Sequence, residues 1–141
     1  MFRLRGKISR MQPYILSVDD EAEITSLISF HLKKQGYAVA TAASGREALE
    51  SVARRRPDLI LLDLMLPDID GFGVCEILHR GPETATIPIV ILSAWSDPES
   101  YHVGLDLGAI DFLAKPFSPR SLLARVNELM RHNEPAPFPR A

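Results

Sequence analysis

This 141-residue sequence has one cysteine and almost no excess of either positive or negative charge. Cys75 is the single cysteine, so the chain has no intramolecular disulfide or cysteine-based metal cluster, and this fits a reducing cytoplasm. The formal net charge of −2 argues against broad nucleic-acid binding through this chain. No apolar run approaches the roughly 18 residues of a membrane span, and the basic start MFRLRGKISR lacks a signal peptide's apolar segment. We therefore expect a cytoplasmic protein without membrane or nucleic-acid contacts.

The composition indicates one globular domain with short extensions. The sequence is 46% hydrophobic and 24% charged, which is ordinary for a chain that buries a core. Residues 1–11 form a basic N-terminal extension, which is either a solvated leader or, for the ten residues before Met11, a start-site artefact. The predicted domain covers residues 12–132, and residues 133–141 form a proline-rich tail or the start of a linker. Because this tail cannot fold alone, we expect no effector domain within the chain.

Short apolar runs alternate with segments of helical periodicity. The predicted strands cover residues 14–18, 37–42, 58–64, 87–94 and 109–114, and a helical segment follows each of them. Ser44, Asp97 and Ser118 are the predicted caps of the second, fourth and last helices, and Gly36 is the predicted end of the first. Five strands alternating with five helices predict an α/β fold with a parallel sheet covered on both faces.

Polar residues lie at the carboxyl ends of four of the predicted strands, at the edge where ligands bind in this architecture. These residues are Asp19, Asp20, Asp63, Ser93 and Lys115. Carboxylates about 4 Å apart repel each other by roughly 4 kcal/mol at an effective dielectric constant near 20, and one lysine offsets only part of this. An all-oxygen set of this kind favours Mg²⁺, with Mn²⁺ as a substitute.

A flavin-binding or nucleotide-binding protein of the same fold is the competing interpretation. Such a protein needs phosphate-cradling amides after its first strand, usually in a loop rich in Gly and Ser or Thr. Here that loop is DDEAE, residues 19–23, which would repel a phosphate. The charge of this loop excludes the competitor.

The combined motifs resemble the receiver domain of bacterial two-component response regulators. Each motif is short, but all of them occur in order and each lies at a predicted strand end. The resemblance covers residues 12–132 and implies a flavodoxin-like, doubly wound (βα)5 fold with strand order 2-1-3-4-5. It also implies a phosphoacceptor rather than an enzyme. The motifs are Asp19-Asp20, Asp63, Ser93-Ala94 and Lys115-Pro116-Phe117.

The resemblance assigns a chemical role to each residue of the predicted site. Asp63 would accept a phosphoryl group from a histidine kinase or a histidine phosphotransfer protein. Asp20 would bind Mg²⁺ directly, Asp19 mainly through water, and Met65 through its backbone carbonyl, while Lys115 would pair with the phosphoryl oxygens. The alternatives are that Asp19 and Asp20 only cap the following helix and that Lys115 is a solvated surface residue.

Three further residues would form a switch. Ser93 and the Ala94 backbone amide would bind the phosphoryl group, and Phe112 matches the family's aromatic switch position, although it is alternatively a plain core aromatic. The resemblance also implies a cis peptide bond between Lys115 and Pro116. The surface of the fourth helix, fifth strand and last helix would then control an unknown partner.

The last helix most resembles receivers that precede a winged-helix DNA-binding domain. Such receivers often dimerise through cross-subunit salt bridges. Asp111 and Arg125 match that pattern. Four positions have other residues than the pattern requires, and because of them we expect a monomer or weak homodimer; they are Tyr101, Ile110, Ser121 and His132.

Two functions remain open from the sequence. One is a phosphorelay switch that acts through protein contacts, and the other is the regulatory half of a DNA-binding transcription factor. A Mg²⁺-dependent phosphatase is disfavoured, because Met65 stands where such an enzyme has an acid, two residues after Asp63.

Overall fold

A five-stranded parallel sheet organises the chain. The computed structural model describes residues 12–94 and 98–133. The strand order is β2-β1-β3-β4-β5, which confirms the predicted doubly wound topology. The strands are β1 Tyr14–Val18, β2 Ala38–Ala42, β3 Leu59–Asp63, β4 Ile89–Ser93 and β5 Asp111–Ala114. The helices are α1 Ala22–Lys34, α2 Gly45–Arg54, α3 Gly71–Arg80, α4 Pro98–Asp106 and α5 Pro119–Asn133.

Burial along the strands follows their position in the sheet. Every residue of β1, β3 and β4 is buried, because helices cover both faces of these three central strands. The edge strands β2 and β5 are only partly buried. The nearly unbroken apolar runs in the sequence therefore mark the centre of the sheet, as predicted.

Two apolar cores lie on opposite faces of the sheet, because successive side chains of a strand point to opposite sides. On one face Ile60 and Leu62 pack in a cluster with residues of α2 and α3, which we call the α2–α3 core. On the other face Leu59 and Leu61 belong to a cluster with residues of α1 and α5, the α1–α5 core. The two cores hold the strands in fixed positions, and the ends of the strands are therefore fixed as well.

Helix starts agree with the predicted caps where the structure describes them. Ser44 accepts a hydrogen bond from the Glu47 N–H at 3.1 Å, and Ser118 accepts one from the Ser121 N–H at 3.0 Å. Gly36 follows α1 with a φ of +96°, a conformation that favours glycine. Asp97, the predicted cap of α4, lies outside the described residues, as do residues 1–11 and 134–141.

Several predicted strands are too long. The fourth was predicted from residue 87 and the fifth from residue 109, but β4 begins at Ile89 and β5 at Asp111. Ile87 and Ala109 are buried in the α2–α3 core without belonging to a strand. Apolar residues before a strand therefore extend the sequence pattern without extending the sheet. In the part of the chain that the structure describes, no helix has the length and apolar character needed to cross a membrane.

Replacement of Ser17 by alanine should stabilise the protein. Ser17 is 1% exposed on β1, and among the described residues its hydroxyl is the one buried side-chain polar atom without a hydrogen-bond partner. An unsatisfied buried hydroxyl costs stability, so Ser17→Ala should raise the free energy of unfolding by about 1 kcal/mol in urea titrations.

The matched control for this prediction is Thr25→Val. The buried Thr25 hydroxyl donates to the Ala22 carbonyl at 3.1 Å, so its removal should lower stability. A Ser17→Ala protein less stable than the wild type would contradict the prediction.

Candidate functional site

The carboxyl ends of the strands bring the predicted site residues together. Asp19 follows β1, Asp63 ends β3, and Lys115 follows β5. Carboxylate oxygens of Asp19, Asp20 and Asp63 lie within 4.8 Å of one another. Asp19 and Asp63 are only 2% and 4% exposed, whereas Asp20 is exposed. Two of the three negative charges are thus removed from solvent.

Lys115 lies among these acids. Its Nζ donates a hydrogen bond to Asp19 Oδ2 at 2.8 Å and lies 3.4 Å from Asp63 Oδ1. Its side chain is 15% exposed, so it is not a solvated surface lysine. Glu21 Oε1 lies 3.7 Å from the same ammonium, although sequence analysis gives Glu21 no role at the site. The acidic run DDE is the only signal in the sequence that could have indicated this contact.

The capping alternative for the first two acids is wrong. The N-cap residue of α1 is Glu21, and no side chain caps this helix. Asp19 Oδ1 instead accepts a hydrogen bond from the Glu21 backbone N–H at 2.9 Å. This bond fixes the orientation of the Asp19 carboxylate and leaves its other oxygen for Lys115.

Ionisation of Asp63 is unfavourable in this environment. Burial raises the pKa of Asp63, the charge of Asp19 raises it further, and the nearby Lys115 ammonium only partly lowers it. For Lys115, burial acts to lower the pKa, but the hydrogen bond to Asp19 and the charges of Asp63 and Asp19 raise it above its ordinary value. The lysine therefore remains charged, and the acids still carry an excess of negative charge.

The site fits a hard divalent cation. Its donors are all oxygens, and their combined charge exceeds what one ammonium neutralises. The Met65 backbone is adjacent, because its N–H acts to lower the pKa of Asp63. Mg²⁺ prefers carboxylate and carbonyl oxygens and keeps several waters, so these residues are suitable ligands for it.

The turn after Asp63 is tightly closed. The Gly71 N–H donates to the Leu64 carbonyl at 3.0 Å. A Cβ at position 71 would lie 2.5 Å from the Asp63 carbonyl oxygen, so a side chain there would displace the strand end. Glycine at this position is therefore required by the close approach of α3 to the Asp63 backbone, a contact that sequence analysis missed.

The residues predicted to form the switch lie at the end of β4 and on β5. Ser93 is fully buried and Ala94 is exposed. Phe112 is half-buried and packs against the α2–α3 core, while its ring centroid lies 5.8 Å from that of Tyr101. A Cβ at Gly104 would lie 2.8 Å from the Phe112 ring, so α4 contacts this aromatic directly. Both predicted roles for Phe112 remain open.

The peptide bond between Lys115 and Pro116 is cis, the isomer that the resemblance implies.

On the neighbouring surface, Arg125 forms an ion pair with Asp111 of the same chain. Tyr101 and Ile110 are exposed. The two charged residues that match the dimer pattern thus bond to each other within one molecule.

The fold and the acidic site together define a signalling domain, and the chain belongs to the response regulator receiver domain family, whose sequence profile matches residues 15–127. Receiver domains are regulatory phosphoacceptors rather than enzymes in the usual sense. They bind Mg²⁺ in an acidic pocket and are phosphorylated by histidine kinases. The predicted family and fold are confirmed.

Among curated relatives, the alkaline phosphatase synthesis transcriptional regulatory protein PhoP of Bacillus subtilis (strain 168) is 44% identical over 124 residues. The match covers 88% of this chain and 51% of PhoP, so the chain spans about half the length of such relatives. Vibrio cholerae CheY4, a chemotaxis response regulator, has a TM-score of 0.81 and 34% identity, covering 84% of this chain and 99% of CheY4. The BeF3-activated receiver domain of Klebsiella pneumoniae RstA has a TM-score of 0.74 and 36% identity, and the match covers 84% of this chain and 98% of the RstA chain.

Replacement of Asp63 by asparagine should stabilise the metal-free protein at pH 7. The folded-state pKa of Asp63 lies above its unfolded value, so ionisation costs stability. This cost develops as the pH rises through the unfolded and then the folded pKa, and it is complete above the latter. Urea titrations in a chelator should show a more stable Asp63→Asn protein at pH 7 and a shrinking difference toward pH 3.8, the ordinary value.

Magnesium provides the control for this measurement. The cation favours the ionised site, so adding Mg²⁺ should stabilise the wild type more than Asp63→Asn. A variant that is no more stable than the wild type in chelator at pH 7 would contradict the electrostatic account.

Proposed function

We propose that this domain is a phosphorylation-dependent switch of a two-component phosphorelay, with Asp63 as the phosphoacceptor. The observation that carries the proposal is the position of Asp63: its carboxylate is buried at the end of a central strand, 3.4 Å from the Lys115 ammonium. A rigid, partly desolvated carboxylate is well placed for in-line attack. The donor would be the phosphohistidine of a histidine kinase or of a histidine phosphotransfer protein, in the cytoplasm.

The transfer exchanges one bond for another. An Asp63 carboxylate oxygen attacks phosphorus, and the new O–P bond forms as the P–N bond to the imidazole breaks, leaving its electron pair on the imidazole nitrogen. Lys115 stabilises the charge on the phosphoryl oxygens. Asp19, Asp20, Asp63 and the Met65 carbonyl would hold Mg²⁺, which neutralises negative charge when bound. The domain acts on its own side chain, and it assists its later dephosphorylation in the same pocket.

Phosphorylation then acts on the surface of α4, β5 and α5. The phosphoryl group would accept hydrogen bonds from the Ser93 hydroxyl and the Ala94 N–H, and Phe112 would turn inward as Ser93 moves. Phe112 contacts both the α2–α3 core and Tyr101, which supports this coupling. The shift is limited by the difference in the phosphoryl group's interaction with the two states.

We propose a monomer or weak homodimer as the activated form. The acidic and basic residues that match the family's dimer pattern, Asp111 and Arg125, form an ion pair within one chain. Tyr101, Ile110 and Ser121 replace charged residues on the same face and cannot form cross-subunit salt bridges. The His132 side chain lies outside the described residues.

A second candidate is the regulatory half of a DNA-binding transcription factor. The observation that favours it is the match to PhoP, a transcriptional regulatory protein of which this chain covers 51%. In that case residues 12–132 are the receiver domain and residues 133–141 begin a linker. Sequencing the coding region beyond the codon for Ala141 distinguishes the candidates, because only the transcription factor continues into a second domain.

Acetyl phosphate with Mg²⁺ should phosphorylate the protein once, at Asp63. Mass spectrometry should show one added phosphoryl group in the wild type and none in Asp63→Asn or after chelation of the metal. Asp58→Asn is the matched control, because Asp58 lies before β3, where it accepts a hydrogen bond from the Tyr14 N–H at 2.8 Å. This variant should be labelled normally.

The same assay tests Lys115. Loss of one charged donor to the transferring group lowers rates by about 100-fold, so Lys115→Ala should be labelled far more slowly while its circular-dichroism spectrum stays that of the wild type. Lys33→Ala, which removes an exposed lysine of α1, should have no effect. Equal labelling of Asp63→Asn at another residue, or normal labelling of Lys115→Ala, would refute these roles.

Beryllofluoride with Mg²⁺ should change amide chemical shifts beyond the acidic site, at Phe112 and along α4 and α5. Sedimentation of the same samples should show a monomer or a weakly associating dimer, because the cross-subunit charge pairs are incomplete. Shift changes confined to the pocket would refute the switch. A tight dimer would show that Tyr101, Ile110, Ser121 and His132 do not prevent association.

A further inference from the structure

The loop of residues 64–70 connects β3 to α3, but it is also attached to α2. Asp68 lies in this loop, and its carboxylate accepts two hydrogen bonds from the first turn of α2. Asp68 Oδ1 accepts from the Gly45 N–H at 2.8 Å, and Asp68 Oδ2 accepts from the Arg46 N–H at 2.9 Å. Both carboxylate oxygens are thus engaged with one helix although the residue is exposed.

Helix α2 already has a cap of its own. Ser44 accepts from the Glu47 N–H at 3.1 Å, whereas Asp68 satisfies two of the other N–H groups that a helix leaves free at its start. The backbone hydrogen bond from Arg46 lowers the pKa of Asp68 most, followed by that from Ile69, with Gly45 contributing less. The carboxylate therefore stays ionised and links the loop to α2.

The two backbones also touch beside this link. A Cβ at Gly45 would lie 2.8 Å from both the Cβ and the carbonyl oxygen of Ile69. The Ile69 side chain packs against the α2–α3 core. The end of the loop is thus held against α2 by hydrogen bonds and by close packing.

The start of the same loop adjoins the acidic site. The Met65 backbone N–H acts to lower the pKa of Asp63, so it faces that carboxylate, while the Met65 side chain is 57% exposed and does not anchor the loop. The Gly71 N–H closes the base of the loop on the Leu64 carbonyl. Met65 therefore lies between the closed base of the loop and the residues that contact α2.

We infer that Asp68 is a positioning residue for the metal and phosphoryl site. By attaching residues 64–70 to α2, it holds the Met65 backbone so that the carbonyl is available to Mg²⁺ and the N–H to Asp63. The inference rests on the proposed function, in which the Met65 carbonyl is a metal ligand. Asp68 itself does not contact the metal or the phosphoryl group.

Magnesium titration of the apo protein, followed by amide chemical shifts, tests this role. Partners outside the ligand set typically contribute 10- to 100-fold to metal affinity, so Asp68→Ala should raise the Mg²⁺ dissociation constant by about tenfold. Asp68→Asn should give an intermediate value, because its amide oxygen still accepts one hydrogen bond. Ser44→Ala is the matched control: it removes a cap from the same helix without touching the loop, and its dissociation constant should equal that of the wild type.

Asp20→Asn separates this inference from the function on which it rests. Normal Mg²⁺ binding by Asp20→Asn would refute the proposed metal site. Weak binding by Asp20→Asn together with normal binding by Asp68→Ala would refute only the positioning role. Equal weakening by Ser44→Ala and Asp68→Ala would also refute it, because Asp68 would then act through the stability of α2 alone.

Discussion

The site is built on one constraint, the close approach of two buried carboxylates at adjacent strand ends. Asp19 and Asp63 follow Val18 and Leu62, which are partners in the register of β1 and β3. Parallel pairing therefore forces the two acids side by side, and the apolar cores on both faces of the sheet offset the cost. Because this environment disfavours ionised acids, the binding of a cation or a positively charged group beside Asp19 and Asp63 stabilises the protein.

Lys115 reaches these acids from the edge of the sheet, two strands away from β3. Its backbone N–H donates to the Ser93 carbonyl at 2.8 Å, which fixes the start of its side chain beside β4. Its ammonium then extends to Asp19 and approaches Asp63. This hydrogen bond connects Ser93 directly to the chain that follows β5, so in the proposed switch a displacement of Ser93 would reach Lys115.

The sheet and the acidic cluster could be predicted because both depend on the period and ends of apolar runs. Asp63 interrupts such a run, and its strand-end position follows from the pattern alone. The contacts of Glu21 with Lys115 and of Asp68 with α2 could not be predicted in this way. These contacts join residues that are far apart in the sequence. Glu21 and Asp68 are exposed acids in or next to loops, where acids are common, so their residue type does not indicate a contact. The close approach of Gly71 to Asp63 likewise depends on backbone packing that no periodicity encodes.

The two sides of the site differ in how firmly they are held. On the side of α3, Gly71 closes the turn after Asp63, and four residues of the helix are buried. On the other side, only Gly104 is buried among the nine described residues of α4, and it lies against the Phe112 ring and the Ile91 side chain. Segments with few buried apolar contacts open and shift at the lowest cost in free energy. A phosphoryl group added at the proposed acceptor Asp63 would therefore adjoin a firmly packed helix, α3, on one side and a weakly packed helix, α4, on the other. In the proposed switch, this unequal packing would direct the response toward Ser93, Phe112 and the face of α4 rather than toward α3.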